Sequence, residues 1–380
     1  MISSATFFKE VMALAILFSS LKQIMAAESL MGLFKDNFLQ FPYNGSMEKI
    51  IPKTLLVVKN RALGDAVMGL GAIQYLKEIH PETTVIYGLP PWICPLFKNA
   101  EHAADETLPL SFQTLGDWWQ ARKAIKALGV TDVLELFQSG RTAKFFSLWE
   151  KLGGPRYVFH NHHKNEGEVY DQGVIKSNIQ RDLDAAYTFY GKTEIPSFLN
   201  YCPKLVPKKS SKTSKSKKPQ RFILGVVATR ETKMWTLENY ARLSQLLSER
   251  FPEAEILIPL GPGDTDIEKQ IQLLTFSSKT KVIKETLTSL PDSLASADHY
   301  IGNDTGIKHI CVALGVPSFT LFGPEPPTEW HPYDSNRHPY YFREPLECRT
   351  RSAHYCGLST CESMICLNEF SAENLMDRLF

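Results

Sequence analysis

Asn303–Val312 reads NDTGIKHICV, directly after an apolar run around Tyr300 and Ile301. The run reads as a strand. His309, Ile310, Ala313 and Leu314 then share one face at three- and four-residue spacing, the mark of a helix. Asp304, Thr305 and Gly306 therefore stand where strand gives way to helix, with Asp304 the expected N-cap. The backbone N–H groups of Thr305 and Gly306 carry the partial positive charge of a helix start and suit a phosphate. Such a junction places an anion site at the carboxyl edge of a parallel sheet, where open α/β folds take their ligands.

The same rhythm extends outward on both sides. Thr54–Lys59 (TLLVVK), Thr84–Leu89 and Asp132–Phe137 read as strands, with helical patterns over Ala66–Ile79 and Asp117–Leu128. In the second half Phe222–Val227, Glu255–Leu260 and Ser318–Phe322 read as strands and Leu237–Phe251 as a helix. Alternation of this kind predicts a parallel sheet with helices on both faces, once in each half. The expected organisation is an N-terminal extension (1–50), a first Rossmann-like domain (51–202), a Lys/Ser-rich linker (203–220), a second Rossmann-like domain (221–345) and a Cys-containing tail with a closing helix (346–380).

The chain has 380 residues, room for two domains, and its 43% hydrophobic and 22% charged content is that of a globular protein. A net charge of +1 excludes a globally basic nucleic-acid binder. Val11–Phe18 is an apolar run too short to span a bilayer, which needs roughly 20 residues. It reads as a surface-lying helix or as a signal segment ending near Ala26 and Ala27. Pro203–Arg221 holds seven Lys, one Arg and no acid, and reads as a solvated tether or as an attraction to an anionic membrane surface. The lysines carry no interleaved aromatics, so nucleic acid is not the expected partner.

The chemistry-bearing candidates lie past strand ends. Asp65 follows the first strand in NRALGDAVMGLGAI, either as a helix cap or as a general base. That loop lacks the three-glycine phosphate fingerprint, which suits an acceptor site better than a dinucleotide site. VATRETKMW, Val227–Trp235, places Thr229, Arg230 and Lys233 past the second half's first strand, where hydroxyl and ammonium groups suit a phosphate. Asp264 in LGPGD caps the next helix or bonds a ribose. Trp330 and His331 stack on a ligand or pack an interface. Cys348, Cys356, Cys361 and Cys366 are spaced by seven, four and four residues, which departs from the paired CxxC of structural zinc sites. No metal is expected.

Four pieces, KNRALGDAVMGLGAIQYLKEIHP, VVATRETKMWTLENYARL, LGPGD and YIGNDTGIKHICVALGVPSFTLFGP, together resemble glycosyltransferase family 9, the ADP-heptose:lipopolysaccharide heptosyltransferases. The resemblance spans about residues 54–335. It implies a GT-B fold, two Rossmann-like domains facing across a cleft, with the nucleotide-sugar held by the second and the acceptor by the first. It implies that Asp65 is the catalytic base. It also implies that Thr229, Lys233, Asp264, Asp304, Thr305, Gly306 and His309 bind the donor, ADP-heptose, and that the acceptor is a lipid A-linked core oligosaccharide on the cytoplasmic face of the membrane. It suggests that the final helix, Ala372–Leu379, crosses back to the first domain. Ala228 and Ile307 depart from the family pattern. The readings left open are a transferase or epimerase using another nucleotide-sugar, and a non-catalytic binder.

Overall fold

The protein is described by a computed structural model, which covers residues 51–159, 164–165, 168–169, 176–190, 197–208, 220–349 and 360–380. The Val11–Phe18 run, Ala26 and Ala27, the lysine segment from residue 209 to 219, and Cys356 lie outside the described residues.

The first half builds a five-stranded parallel sheet. In chain order its elements are β1 (Thr54–Val58), the short helix α1 (Leu63–Met68), α2 (Leu70–Ile79), β2 (Thr84–Leu89), β3 (Glu106–Pro109), α3 (Leu115–Ala127), β4 (Asp132–Glu135), α4 (Gly140–Lys151), β5 (Arg156–Phe159) and α5 (Asn178–Tyr190). The spatial order is β3-β2-β1-β4-β5. β1 is central because Leu55–Val58 are apolar on both faces and wholly buried, as a doubly covered parallel strand must be.

The second half builds a six-stranded parallel sheet from β6 (Arg221–Gly225), α6 (Leu237–Arg250), β7 (Glu255–Pro259), α7 (Thr265–Leu273), β8 (Thr280–Ile283), β9 (His299–Asn303), α8 (Gly306–Ala313), β10 (Ser318–Phe322), α9 (Pro327–Trp330) and β11 (Tyr340–Phe342), closed by α10 (Ala372–Leu379). Its order is β8-β7-β6-β9-β10-β11. In each sheet the order reverses beside the first strand, between β1 and β4 and between β6 and β9. Those two switch points open the crevices in which such sheets bind ligands.

The two sheets share a core. One apolar cluster joins Leu55, Val57 and Ile73 of the first half to Tyr300, Ile310 and Cys311 of the second. α1 packs directly on α8. A Cβ added to Gly64 would lie 2.7 Å from His309 Cδ2, and one added to Gly306 would lie 3.1 Å from Leu63 Cβ. Only glycine at these two points lets the helices meet this closely.

Three expectations need correction. Asp65 does not cap a helix: α1 starts earlier, at Leu63 with Ala62 as N-cap, and Asp65 sits in its first turn, where a carboxylate suits the helix dipole. The final helix does not return to the first sheet. α10 packs on α6, where Arg242 holds Glu373 at 2.8 Å and Arg250 donates to the Phe380 carbonyl. Its buried Ala372 and Leu375 join the second half's apolar core, which anchors it there. The start of the lysine segment is docked rather than free. Val206–Pro207 pairs antiparallel with Ala100–Glu101, and Leu205, buried, donates its N–H to the Ala313 carbonyl.

Candidate active site

The site forms where the switch point of one sheet faces that of the other. From the first half comes Asp65, only 8% exposed. Asn178 Nδ2, at the start of α5, donates to Asp65 Oδ1 at 3.0 Å. Asn178 Oδ1 accepts from Lys59 Nζ at 3.2 Å, and Lys59 is held by Asp182 Oδ1 at 2.5 Å. Lys59 immediately follows β1, and its side chain is wholly buried. Burial raises Asp182 to about 6, with the Lys59 ammonium opposing, so the carboxylate is ionised at neutral pH.

From the second half comes a cluster centred on Asp304. Its Oδ2 lies 2.8 Å from Lys233 Nζ and its Oδ1 2.6 Å from Lys308 Nζ, with His309 Nε2 at 3.8 Å. Burial alone would raise the Asp304 carboxyl, but Lys308 and then Lys233 outweigh it and hold it well below the usual carboxylate range. Lys308 is wholly buried. It also donates to the Trp330 carbonyl at 2.8 Å and lies 5.0 Å from the centre of the Phe322 ring. Burial draws Lys308 down to about 8, with Asp304 opposing, and it remains an ammonium at neutral pH. Burial, with Lys308 beside it, depresses His309 well below the ordinary histidine range, so its ring is neutral; Nδ1 lies 2.5 Å from the Tyr333 hydroxyl. Two ammonium groups against one carboxylate leave this cluster with one net positive charge, which suits an anionic ligand.

The structure brings Asp65, Lys233, Asp304, Thr305, Gly306 and His309 to this junction. Asp304 is not the cap expected of it. Its carboxylate is committed to the two lysines, and Thr305 occupies the N-cap position of α8, making no side-chain cap bond. Thr229 lies exposed on the loop after β6. Beside it, Arg230 pairs with Glu325. Asp264 does not cap α7 through its side chain. Its Oδ2 accepts the Gly261 N–H at 2.6 Å and closes the LGPGD turn on itself. His331 packs inside, with ring contacts to Phe322, Tyr333 and Tyr340, rather than presenting a stacking face.

Four residues of the candidate site escaped the sequence reading: Lys59, Asn178, Asp182 and Lys308. Two ion pairs also escaped, because their partners are distant in sequence. One is the buried Arg181–Glu329 bridge, 2.5 Å long, which ties α5 to α9 across the two halves. The other is Arg230–Glu325. A signal existed for Lys308, since Asp304 and Lys308 stand at i and i+4, the spacing at which helical side chains meet.

The sequence pattern of glycosyltransferase family 9 (heptosyltransferase) matches residues 161–354, just over half of the chain. The chain belongs to this family. The lipopolysaccharide heptosyltransferase 1 of Campylobacter coli is 29% identical over 296 residues, covering 72% of this chain and 84% of that protein. The structure of Escherichia coli ADP-heptose lps heptosyltransferase II superimposes with a TM-score of 0.63 at 15% identity, over 86% of this chain and 97% of that one. An E. coli heptosyltransferase solved with ADP-2-deoxy-2-fluoro heptose gives a TM-score of 0.59 at 16% identity, over 86% and 98%. The glycosyltransferase is therefore a GT-B enzyme, and its two facing switch points are the two walls of a GT-B cleft.

Among the described residues of the family-9 enzyme, no group of three or more His, Cys, Asp or Glu side chains is placed to hold a metal ion. Cys348, Cys361 and Cys366 are unlinked thiols. No described helix is long and apolar enough to cross a membrane.

Proposed function

We propose that this family-9 enzyme transfers heptose, with inversion, from ADP-heptose to a lipid A-linked inner-core oligosaccharide of lipopolysaccharide. One observation carries the reading: a buried carboxylate, Asp65, stands on a helix packed against the helix that opens beside a net-positive Asp304–Lys233–Lys308 cluster. Asp65 takes the proton from an acceptor hydroxyl. The oxygen attacks the anomeric carbon on the face opposite ADP, and the bond to the diphosphate breaks. A positioned base of this type contributes roughly 10²- to 10⁴-fold.

The leaving diphosphate gains charge as the bond breaks. Lys233 and the N–H groups at Thr305 and Gly306 receive it, and no metal is expected in this role. Lys233 is the cluster's more accessible cation. Its side chain is 14% exposed against none for Lys308. It can therefore turn from Asp304 toward phosphate while Lys308 keeps Asp304 paired. Thr229, exposed on the neighbouring loop, adds a hydroxyl. Asp264 is assigned to the ribose less directly, because its carboxylate already holds its own turn.

The deciding experiment is mass spectrometry of the product formed from ADP-heptose and a heptose-deficient lipid acceptor. Asp65→Ala should abolish transfer while ADP still binds. Near-normal turnover in that variant removes Asp65 from the role of base. Thermal shifts with ADP, UDP and GDP test the donor by mass action. A shift with ADP alone supports the reading, a shift with another nucleotide redirects it to a different sugar donor, and none at all favours a non-catalytic binder.

We further propose that the enzyme works at the inner face of the cytoplasmic membrane, with the lysines of residues 203–221 drawn to anionic lipid. Each Lys near such a surface contributes about 1 kcal/mol. Sedimentation with anionic vesicles at low and high salt tests this. Binding indifferent to both lipid charge and salt refutes it.

A further inference from the structure

We propose that Asn178 is a positioning residue that aims the Asp65 carboxylate, and that Lys59 and Asp182 lock the Asn178 amide in the one orientation that does so. The proposal rests on the reading of Asp65 as the base.

The argument is one of donors and acceptors. A side-chain amide has two ends of nearly equal shape, and its neighbours decide which end points where. An ammonium only donates, so the atom 3.2 Å from Lys59 Nζ is the amide oxygen. The NH₂ end then faces Asp65 Oδ1 at 3.0 Å, and an ionised carboxylate only accepts. Flipping the amide would set NH₂ against ammonium and oxygen against carboxylate, two repulsions in place of two bonds. Lys59 is itself fixed by Asp182 at 2.5 Å, and Asp182 stands four residues beyond Asn178, on the same face of α5.

All four side chains are buried. Each bond therefore forms away from water, where a charge-assisted hydrogen bond is strong and a lost one is costly. The bond occupies one oxygen of Asp65. The other, Oδ2, is left to take the acceptor proton. Lys59 is too far along the chain of contacts to be the acid or base itself, since Asn178 and Asp182 hold its ammonium. The titratable groups facing Asp65 are Asp182 on α5, Tyr87 on β2 and Lys59 after β1, with His309 of α8 against the turn at Gly64.

Asn178→Asp and Asn178→Ala, measured beside Asp65→Ala in the full chain, test the proposal. In Asn178→Ala we expect kcat to fall roughly 10- to 100-fold with donor KM little changed, since the donor cluster lies on the other half. Asn178→Asp keeps the shape and the Lys59 contact but sets a second carboxylate beside Asp65. Like charges raise a carboxyl's pKa, so the acidic limb of the kcat–pH profile should move up by about one unit or more. That movement shows that position 178 stands against the base; the fall in kcat at unchanged donor KM and unchanged unfolding midpoint in Asn178→Ala is what a purely structural asparagine would not give. If Asp65→Ala is inactive while Asn178→Asp keeps the parent pH profile and Asn178→Ala the parent kcat, the positioning role is overturned and the base survives. If Asp65→Ala itself turns over normally, the base reading fails and takes this proposal with it. Should Asn178→Ala not fold, Asn178→Leu, close in shape but without the donor, decides: parent kcat in that variant overturns the positioning role.

Discussion

Gly64→Ala tests whether the two halves of the cleft touch in solution as they do here. The added Cβ would sit 2.7 Å from His309 Cδ2, 3.3 Å from Nε2 and 3.6 Å from Gly306 Cα. Carbon atoms in ordinary contact stand roughly 3.5–4.0 Å apart, so the nearest pair is short by about 1 Å. His309 cannot swing aside. It is buried, its Nδ1 is 2.5 Å from the Tyr333 hydroxyl, and the two rings meet edge to face. The helices α1 and α8 must therefore separate.

Overpacking of this kind costs about 1–3 kcal/mol. Alanine in place of glycine within a helix returns up to about 1 kcal/mol. The net expectation is a loss of about 1 kcal/mol by denaturant unfolding. The effect on rate should be larger. Asp65 is the next residue, and a shift of about 1 Å in a reacting group costs up to roughly 100-fold. Initial rates of heptosyl transfer should fall 10-fold or more while ADP affinity changes little. Gly306→Ala is the stability control. Its Cβ would lie 3.1 Å from Leu63 Cβ, which side-chain rotation cannot move, so the shortfall is about half that at Gly64 and a smaller loss is expected. A Gly64→Ala protein that is more stable than the parent and turns over normally would show the helix gain without the clash, and would refute the close approach of α1 and α8.

Three further outcomes follow from the same geometry. Lys308→Met leaves Asp304 with Lys233 alone, and removing one partner of a buried ion pair costs roughly 3–5 kcal/mol, so a loss near about 3 kcal/mol is expected by urea unfolding; a loss under about 1 kcal/mol would refute the pairing. Lys233→Ala should weaken ADP affinity in calorimetry, and an unchanged Kd would leave Lys233 only a partner of Asp304. Glu135, at the end of β4, is raised to about 7 by burial, against bonds from the Tyr157 hydroxyl and the Ser139 N–H. The folded pKa exceeds the unfolded one, so this group's contribution is full below about 4.5 and is lost as pH rises through about 7. A rise from about 4.5 to about 7 is worth about 3 kcal/mol. Glu135→Gln should remove that part of the pH dependence between about pH 4.5 and 7, whereas stability curves that run parallel for the two proteins would count against it.

The fold was legible because apolar strands and helical faces recur at short range. Ser318–Phe322, Thr84–Leu89 and Ala372–Leu379 match the structure at both ends. Residues just past strand ends were legible for the same reason, since a parallel sheet points them all to one edge. That is why Asp65, Lys233 and Asp304 could be picked out. What stayed hidden depends on long-range pairing. Lys59 reads as the charged end of a strand facing water, and only Asp182, far along the chain, explains its burial. Asp304 reads as a cap, and Lys308, one turn on, together with Lys233, from a different loop, withdraws it from that role. The crossing of the final helix was an implication of the family resemblance, and nothing local in Ala372–Leu379 names the surface that buries it.

The helix α5 shows why these distant pairings belong to one device. Within five residues it sends Asn178 to Asp65, Arg181 to Glu329 on the opposite half, and Asp182 to Lys59 at the end of the central strand. Glu329 stands in α9 beside Trp330, whose carbonyl holds Lys308, and Lys308 holds Asp304. The proposed base and the net-positive cluster are thus joined not only by the contact of α1 with α8 but by a second, polar route through α5 and α9. Every link in that route is a buried charge or amide, and each is costly to leave without its partner. Such groups resist small displacements far more than apolar packing alone, because the bonds are directional. A cleft that must hold a carboxylate to within a fraction of an ångström of a sugar hydroxyl has reason to be tied in both ways.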